Sequence, residues 1–181
     1  MTSSTIRDET TQDLDAVRRV HRLAFSEDSP GRLADDLRQS GDAVISLVAE
    51  RAGRIVGHVL FSTIKAPMRA LSLAPVGIHP DAQKVGIGSA LIRKGLERAQ
   101  IEGWGAVFVL GSPAYYGRFG FKADTAELYA NPYRGPDFMG LLCDEGAPKS
   151  GQLVFPAAFD EDIREHAARQ RATKTPRAPN P

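Results

Sequence analysis

Apolar and polar positions alternate along the chain with two distinct periods. Leu14, Val17, Val20 or His21, and Ala24 recur at helical spacing, with Thr10 or Thr11 placed to cap and Asp13 in the first turn, which predicts a helix to about Phe25. Ser29-Pro30 suits a second helix start, Leu33 and Leu37 share one face, and Gly41 offers a left-handed stop. From Ala43 to Lys65 the period changes. Val44 to Glu50 and Ile55 to Ile64 are β-rich runs divided by Ala52-Gly53-Arg54, and they predict a hairpin.

Leu71 to Ile78 is a third extended run, ended by Pro80-Asp81. A helix then begins at Gly86-Ile-Gly-Ser, with Ile87, Leu91, Leu96 and Ala99 toward one side and Arg93, Lys94, Glu97 and Arg98 toward water. Gly103 closes it. Ala106 to Leu110 is short, apolar and uncharged, as expected of a buried strand parallel to the one before the helix, so the three elements read as a βαβ unit. Beyond Phe121 the pattern weakens. Asp137 to Cys143 and Gln152 to Phe155 are candidate strands, and the proline-rich, charged stretch 171–181 has little to bury and reads as a loose tail. The expected layout is one domain over residues 1–170 followed by that tail.

Composition narrows the function classes. A chain of 181 residues with net charge +1 can bury a core without staples and has no general pull toward nucleic acid. Cys143 is the single cysteine, and the polar start lacks the apolar core of a signal peptide, which together point to a reducing cytoplasm. No run approaches the ~20 apolar residues of a membrane-spanning helix. The histidines at 21, 58, 79 and 166 lack ligand spacing, so no metal is expected.

Chemistry concentrates between Gln83 and Ser89. Gln83-Lys-Val-Gly-Ile-Gly-Ser89 joins a strand to a helix, so peptide N–H groups around Gly86 and Gly88 lack helical partners and can converge on an anion. The helix macrodipole favours a pyrophosphate there, and Lys84 adds a full charge at the rim. A bare tight turn is the competing reading. The dinucleotide fingerprint fails because Leu91 stands three residues beyond Gly88, and no Gly-Lys-Ser/Thr follows a glycine loop.

The segment Val76-Gly-Ile-His-Pro-Asp-Ala-Gln-Lys-Val-Gly-Ile-Gly-Ser-Ala-Leu91 resembles motif A of the GCN5-related N-acetyltransferases (GNAT), with Gln83, Gly86 and Gly88 in the signature places. Pro113-Ala-Tyr-Tyr-Gly-Arg-Phe-Gly-Phe121 resembles the family's second landmark, most closely in its bacterial YhbS-like branch, through Tyr116, Gly120 and Phe121. The resemblance implies an α/β fold with a central mixed β-sheet, flanking helices and a splayed parallel strand pair. It implies acetyl-CoA as cosubstrate, with the pantetheine arm against Val76 and Ile78 and the pyrophosphate against the backbone of Lys84, Val85, Gly86, Ile87, Gly88 and Ser89. An N–H near Gly77 or Ile78 is then the oxyanion donor, and Tyr116 serves the leaving group. A phenol near pKa ~10 is a weaker acid than a thiol near ~8.5, so full proton transfer is uphill by about 2 kcal/mol and hydrogen bonding to sulfur is the expected contribution.

The implied activity is transfer of an acetyl group to a primary amine of a small molecule or peptide, with no nucleic-acid or membrane partner and with a homodimer left open. The family often carries a glutamate on the strand before the cradle, whereas Leu71 to Ile78 holds no carboxylate, so the base is unassigned. Glu50, His58 and His21 read as packed or solvated, and Cys143 as a core residue. The missing carboxylate keeps open an acyl-CoA-binding module without turnover. Selectivity is expected from Phe25 to Leu37 and from residues beyond Phe121. There Glu27, Asp28, Asp35 and Asp36 either attract a cationic amine or form a solvated acidic face.

Overall fold

The computed structural model describes residues 4–174. In chain order the elements are β1 (Thr5–Asp8), α1 (Leu14–Phe25), α2 (Ser29–Gln39), β2 (Ala43–Arg51), β3 (Arg54–Ile64), β4 (Ala70–Ile78), α3 (Ile87–Ile101), β5 (Ala106–Leu110), α4 (Pro113–Tyr116), α5 (Ala123–Glu127), β6 (Tyr129–Ala130), β7 (Phe138–Leu142), β8 (Gly151–Gln152) and α6 (Asp160–Lys174). Six strands form one sheet in the order β1-β2-β3-β4-β5-β7, and β6 pairs with β8 separately. β4 and β5 are parallel, joined by α3, and every other neighbouring pair in the large sheet is antiparallel. This is the mixed α/β architecture with a parallel strand pair that the sequence implies.

Local chemistry accounts for the element boundaries. Ala52 and Gly53 both take left-handed conformations (φ 52° and 72°), which matches the twist of the β2–β3 hairpin they close. Ahead of α1, Asp13 accepts hydrogen bonds from the Thr10 N–H (2.8 Å) and from both Nη atoms of Arg7 (2.7 and 2.9 Å), tying the helix start to the edge strand. Strand alternation then sends Val59 and Phe61 to one face of the sheet and His58 and Leu60 to the other. The first face packs against Leu91 and Ile92 of α3, and Leu60 on the second meets Ala34 and Leu37 of α2 and Phe159. Phe108, Tyr129, Tyr133 and Phe138 fill a further core around β5 and β7.

The short elements α5 and β6 were not visible in the sequence pattern, and neither were β1 and α6. β1 is a polar edge strand, Thr5-Ile-Arg-Asp8, that pairs with β2. α6 begins with Asp160, Glu161 and Asp162, acidic residues that complement a helix N-terminus, and it carries the chain through residues 171–174, where a loose tail was expected. Residues 175–181 lie outside the described residues. The expected strand at Gln152 to Phe155 is shorter, reduced to β8 and an isolated bridge between Lys65 and Val154.

Candidate active site

The site starts where β4 and β5 part. Their pairing covers Ala70↔Ala106, Leu71↔Val107 and Ser72↔Phe108 and then stops, although β4 continues to Ile78 and β5 to Leu110. Leu73, Ala74, Pro75 and Val76 from one strand and Leu110 from the other line a common cavity in the opening. The ladder to β3 settles which backbone groups face that opening. His79 N–H donates to Val56 O (2.9 Å), making Gly57↔Ile78 a non-hydrogen-bonded pair and His58↔Gly77 a hydrogen-bonded one. Ile78 and Val76 therefore direct their N–H and C=O groups toward the open edge, and Gly77 directs its own toward β3. Of the two candidate oxyanion donors, Ile78 has the free N–H.

The cradle follows from the start of α3. Ala90 N–H is the first to bond back along the helix, to Gly86 O (3.0 Å), so the N–H groups of Gly86, Ile87, Gly88 and Ser89 face outward. Gly86 sits at φ 90°, a left-handed conformation that glycine adopts without strain. Gly88 is glycine for a different reason: a Cβ there would lie 3.0 Å from the Tyr115 hydroxyl. Gln83 is engaged within the protein, its Nε2 donating to Ile78 O (3.0 Å), so it fixes the loop to the end of β4. Arg118, which the sequence pattern did not single out, stacks over the Tyr115 ring at 4.3 Å and donates to Ser89 Oγ (3.3 Å). Its guanidinium joins Lys84 at the rim.

These residues enclose a groove of about 610 Å³ lined by Val76, Ile78, Gln83, Lys84, Gly86, Gly88 and Ser89, together with Ala24, Phe25, Tyr115, Tyr116 and Arg118. Three expected cofactor residues contribute no side chain to it. Val85 points to solvent at 64% exposure, Ile87 belongs to the core, and Gly77 lies against His21 of α1. A cavity of about 280 Å³ lies on the other side of the strand opening, between α2 and α6. Phe25, Val76 and Tyr116 line both spaces, so the two meet at the tyrosine. Burial raises the Tyr116 phenol to about 12, and its ring is packed against Phe119, Phe121 and Tyr115.

Other sequence candidates take structural roles. Glu50 accepts from Arg7 (3.0 Å), and Asp35 pairs with Arg18 and Arg38. His79 accepts from the Asp81 N–H (3.2 Å), and His166 lies beside Arg134 O on α6. Cys143 is half-buried, and burial raises its thiol, the opposite of what a nucleophile needs. Glu27 and Asp36 line the smaller cavity with Glu161 of α6. Among the described residues no three His, Cys, Asp or Glu side chains gather as a metal would require, and no helix is long and apolar enough to cross a membrane.

Comparison with known proteins gives the same picture as the geometry. Residues 14–121 match the family model described as Acetyltransferase (GNAT) family. An uncharacterized N-acetyltransferase of Escherichia coli K12, YjhQ, is 35% identical over 133 residues, covering 69% of this chain and 74% of that protein. A second from the same strain, YhbS, is 31% identical over 121 residues, covering 65% and 72%. The solved structure of E. coli YhbS in complex with CoA superposes with TM-score 0.82 at 25% identity, over 88% of this chain and 93% of that one. A GNAT family acetyltransferase from Brucella melitensis, solved with acetyl-CoA, gives TM-score 0.74 at 32% identity over 88% and 100%. The open strand pair, the outward-facing start of α3 and the tyrosine turn thus stand in a chain that belongs to the acetyltransferase (GNAT) family, an N-acetyltransferase of the YhbS-like kind.

Proposed function

We propose that this chain moves the acetyl group of acetyl-CoA to a primary amine by direct attack, the amine entering through the cavity between α2 and α6. The observation that carries this reading is the meeting of two cavities at Phe25, Val76 and Tyr116. The N–H groups of Gly86, Ile87, Gly88 and Ser89, with Lys84 and Arg118, would hold the pyrophosphate, and the open edge at Val76 and Ile78 would hold the pantetheine. The thioester supplies an acyl carbon activated by a sulfur leaving group. Ile78 N–H is oriented to stabilise negative charge developing on the acyl oxygen. Tyr116 is positioned to donate a hydrogen bond to sulfur. With its phenol at about 12, surrender of the proton to a thiolate of ordinary pKa is uphill by about 5 kcal/mol, so it stays a donor.

The acceptor side is apolar at its base, and at its rim the carboxylates of Glu27, Asp36, Glu161, Asp162 and Glu165 outnumber the guanidinium groups of Arg32 and Arg169. Among the described residues Glu27, Asp36 and Glu161 line the cavity without an ion-pair partner, whereas Asp162 accepts from the Tyr133 hydroxyl (2.7 Å). Unpaired carboxylates around an aliphatic floor suit an alkylamine carrying further positive charge, such as a polyamine or a lysine side chain. The absence of a carboxylate on β4 favours a second reading, an acyl-CoA-binding module without turnover. Release of CoA thiol from acetyl-CoA in the presence of polyamines, amino acids, aminoglycosides and lysine peptides separates the two. Turnover that falls by roughly tenfold to a hundredfold in Tyr116→Phe is expected for the enzyme. Binding of CoA with no amine acetylated selects the module.

A further inference from the structure

A cavity of about 730 Å³, which the chemistry above does not use, lies between the C-terminal end of α2, the end of β3 and the segment 154–158 that leads to α6. Val154 gives it an apolar side, 45% exposed and tied to Lys65 by two backbone hydrogen bonds of 2.9 Å. Its polar side is ordered: Asp42 accepts from Ser40 Oγ (2.6 Å) and from Thr63 Oγ1 (3.1 Å).

Helical spacing joins this space to the cavity between α2 and α6. Ser29, Leu33, Asp36 and Ser40 stand four, three and four residues apart, so α2 and its C-cap present them on one face. Ser29, Leu33 and Asp36 line the cavity between α2 and α6, and Asp36 and Ser40 line the larger one. Asp36 therefore belongs to both. Ala158, in the turn ahead of α6, is shared as well, so the two spaces meet over a pair of residues from different elements. A methyl group is all that the second of these raises between them. Phe159, next in the chain, is buried with Leu37 and Leu60, which anchors the turn beneath this saddle.

Charge selects where a second polar group of the acceptor would rest. Asp36 is exposed and, among the described residues, has no ion-pair partner, although its neighbour Asp35 pairs with Arg18 and Arg38. Deeper in the larger cavity Lys65 stands near Asp42 and opposes a cation placed there. The favourable position for a second positive charge is thus the saddle and not the far end. Length is set by the helix: α2 rises about 10 Å over the seven residues from Ser29 to Asp36.

We propose that the acceptor is a linear diamine or polyamine lying along this face of α2, with its reacting nitrogen at Tyr116, its alkyl chain over Leu33 and its second ammonium group at Asp36. A longer chain continues over Ala158 into the larger cavity. The proposal rests on the acetyl-transfer reading above and deepens it. Asp36 touches no reacting atom; it decides which amine is held. An extended chain gains about 1.2 Å per bond, so roughly 10 Å corresponds to about eight bonds, the reach of a seven- or eight-carbon diamine.

The test measures thiol release with straight-chain diamines of three to twelve carbons, and with monoamines of equal length, for the wild type, Asp36→Asn and Ala158→Leu. The diamine-to-monoamine ratio of kcat/KM separates the second charge from the apolar chain. In the wild type this ratio is expected to rise roughly fivefold between three carbons and eight. Asp36→Asn keeps the shape and removes the charge, so it returns the eight-carbon ratio to the three-carbon value. Ala158→Leu raises the saddle and slows the twelve-carbon diamine more than the eight-carbon one; equal losses overturn the path over Ala158. A ratio that stays flat with length, or one that Asp36→Asn leaves in place, overturns the proposal while acetyl transfer stands. If no amine of either kind releases thiol, the transfer reading falls, and calorimetric titration of the same amines into the CoA-bound protein decides the proposal by the same ratios of affinity.

Discussion

Arg118 holds four contacts at once: its guanidinium lies 4.3 Å from the Tyr115 ring and 5.4 Å from the Phe119 ring, and it donates to Tyr115 O (3.1 Å) and Ser89 Oγ (3.3 Å). A stacked guanidinium keeps its donors in one plane and loses little freedom on meeting a phosphate. Arg118→Ala is expected to raise the KM for acetyl-CoA about tenfold with little change in kcat, as thiol-release kinetics would show. Gly86, Gly88 and Tyr116 were legible in the sequence because glycine spacing and an aromatic landmark are local signals. Arg118 was not, since its value arises from a fold that returns residue 118 to the start of α3. His21 and His58, read as packed or solvated, are packed, but their contact was hidden for the same reason. His21 and His58 are 37 positions apart, and only the packing of α1 on β3 reveals that they touch.

Among the helices, α3 carries the tightest demand. A Cβ on Gly95 would meet the Phe61 ring at 2.2 Å, and both residues are buried in the core. Gly95→Ala gains helix propensity, yet the fully buried ring has nowhere to yield. A net loss of about 2 kcal/mol is expected on chemical denaturation. It would also tilt the N-terminus of α3 and weaken CoA binding. The β2–β3 hairpin, β4, α3 and β5 were readable because each has a strong period and a glycine or proline at its border. β1 and α6 were not. Thr5-Ile-Arg-Asp8 has one apolar residue and becomes a strand only because β2 offers an edge. α6 is polar on most sides, and tertiary contacts such as Asp162 with Tyr133 hold it.

On the scale of the whole molecule, the groups that titrate below neutral pH couple stability to acid in one direction. His21 takes up a proton at about 3 in the fold against 6.5 unfolded, and Glu9 at about 2 against 4.5. In both windows the unfolded chain binds more protons, so stability falls as pH falls. The loss begins below 6.5 with His21, faced by His58, Glu9 and Arg38, and deepens below 4.5 as Glu9 and the similarly lowered Asp13 join. Melting temperature should decline steadily from neutral pH toward about pH 4, and His21→Gln should flatten the upper part of that decline.

The two spaces stand on different elements. Among the described residues, the groove at the start of α3 and the smaller cavity share only Phe25, Val76 and Tyr116 in their lining. The groove is built on the turn into α3 and on α4, and the cavity on α2 and α6. Substitutions on α2 or α6 can therefore accumulate without disturbing the donor half. On the proposed reading, a change of acceptor needs substitutions on a single side of the sheet and leaves the acyl-donor side as it is.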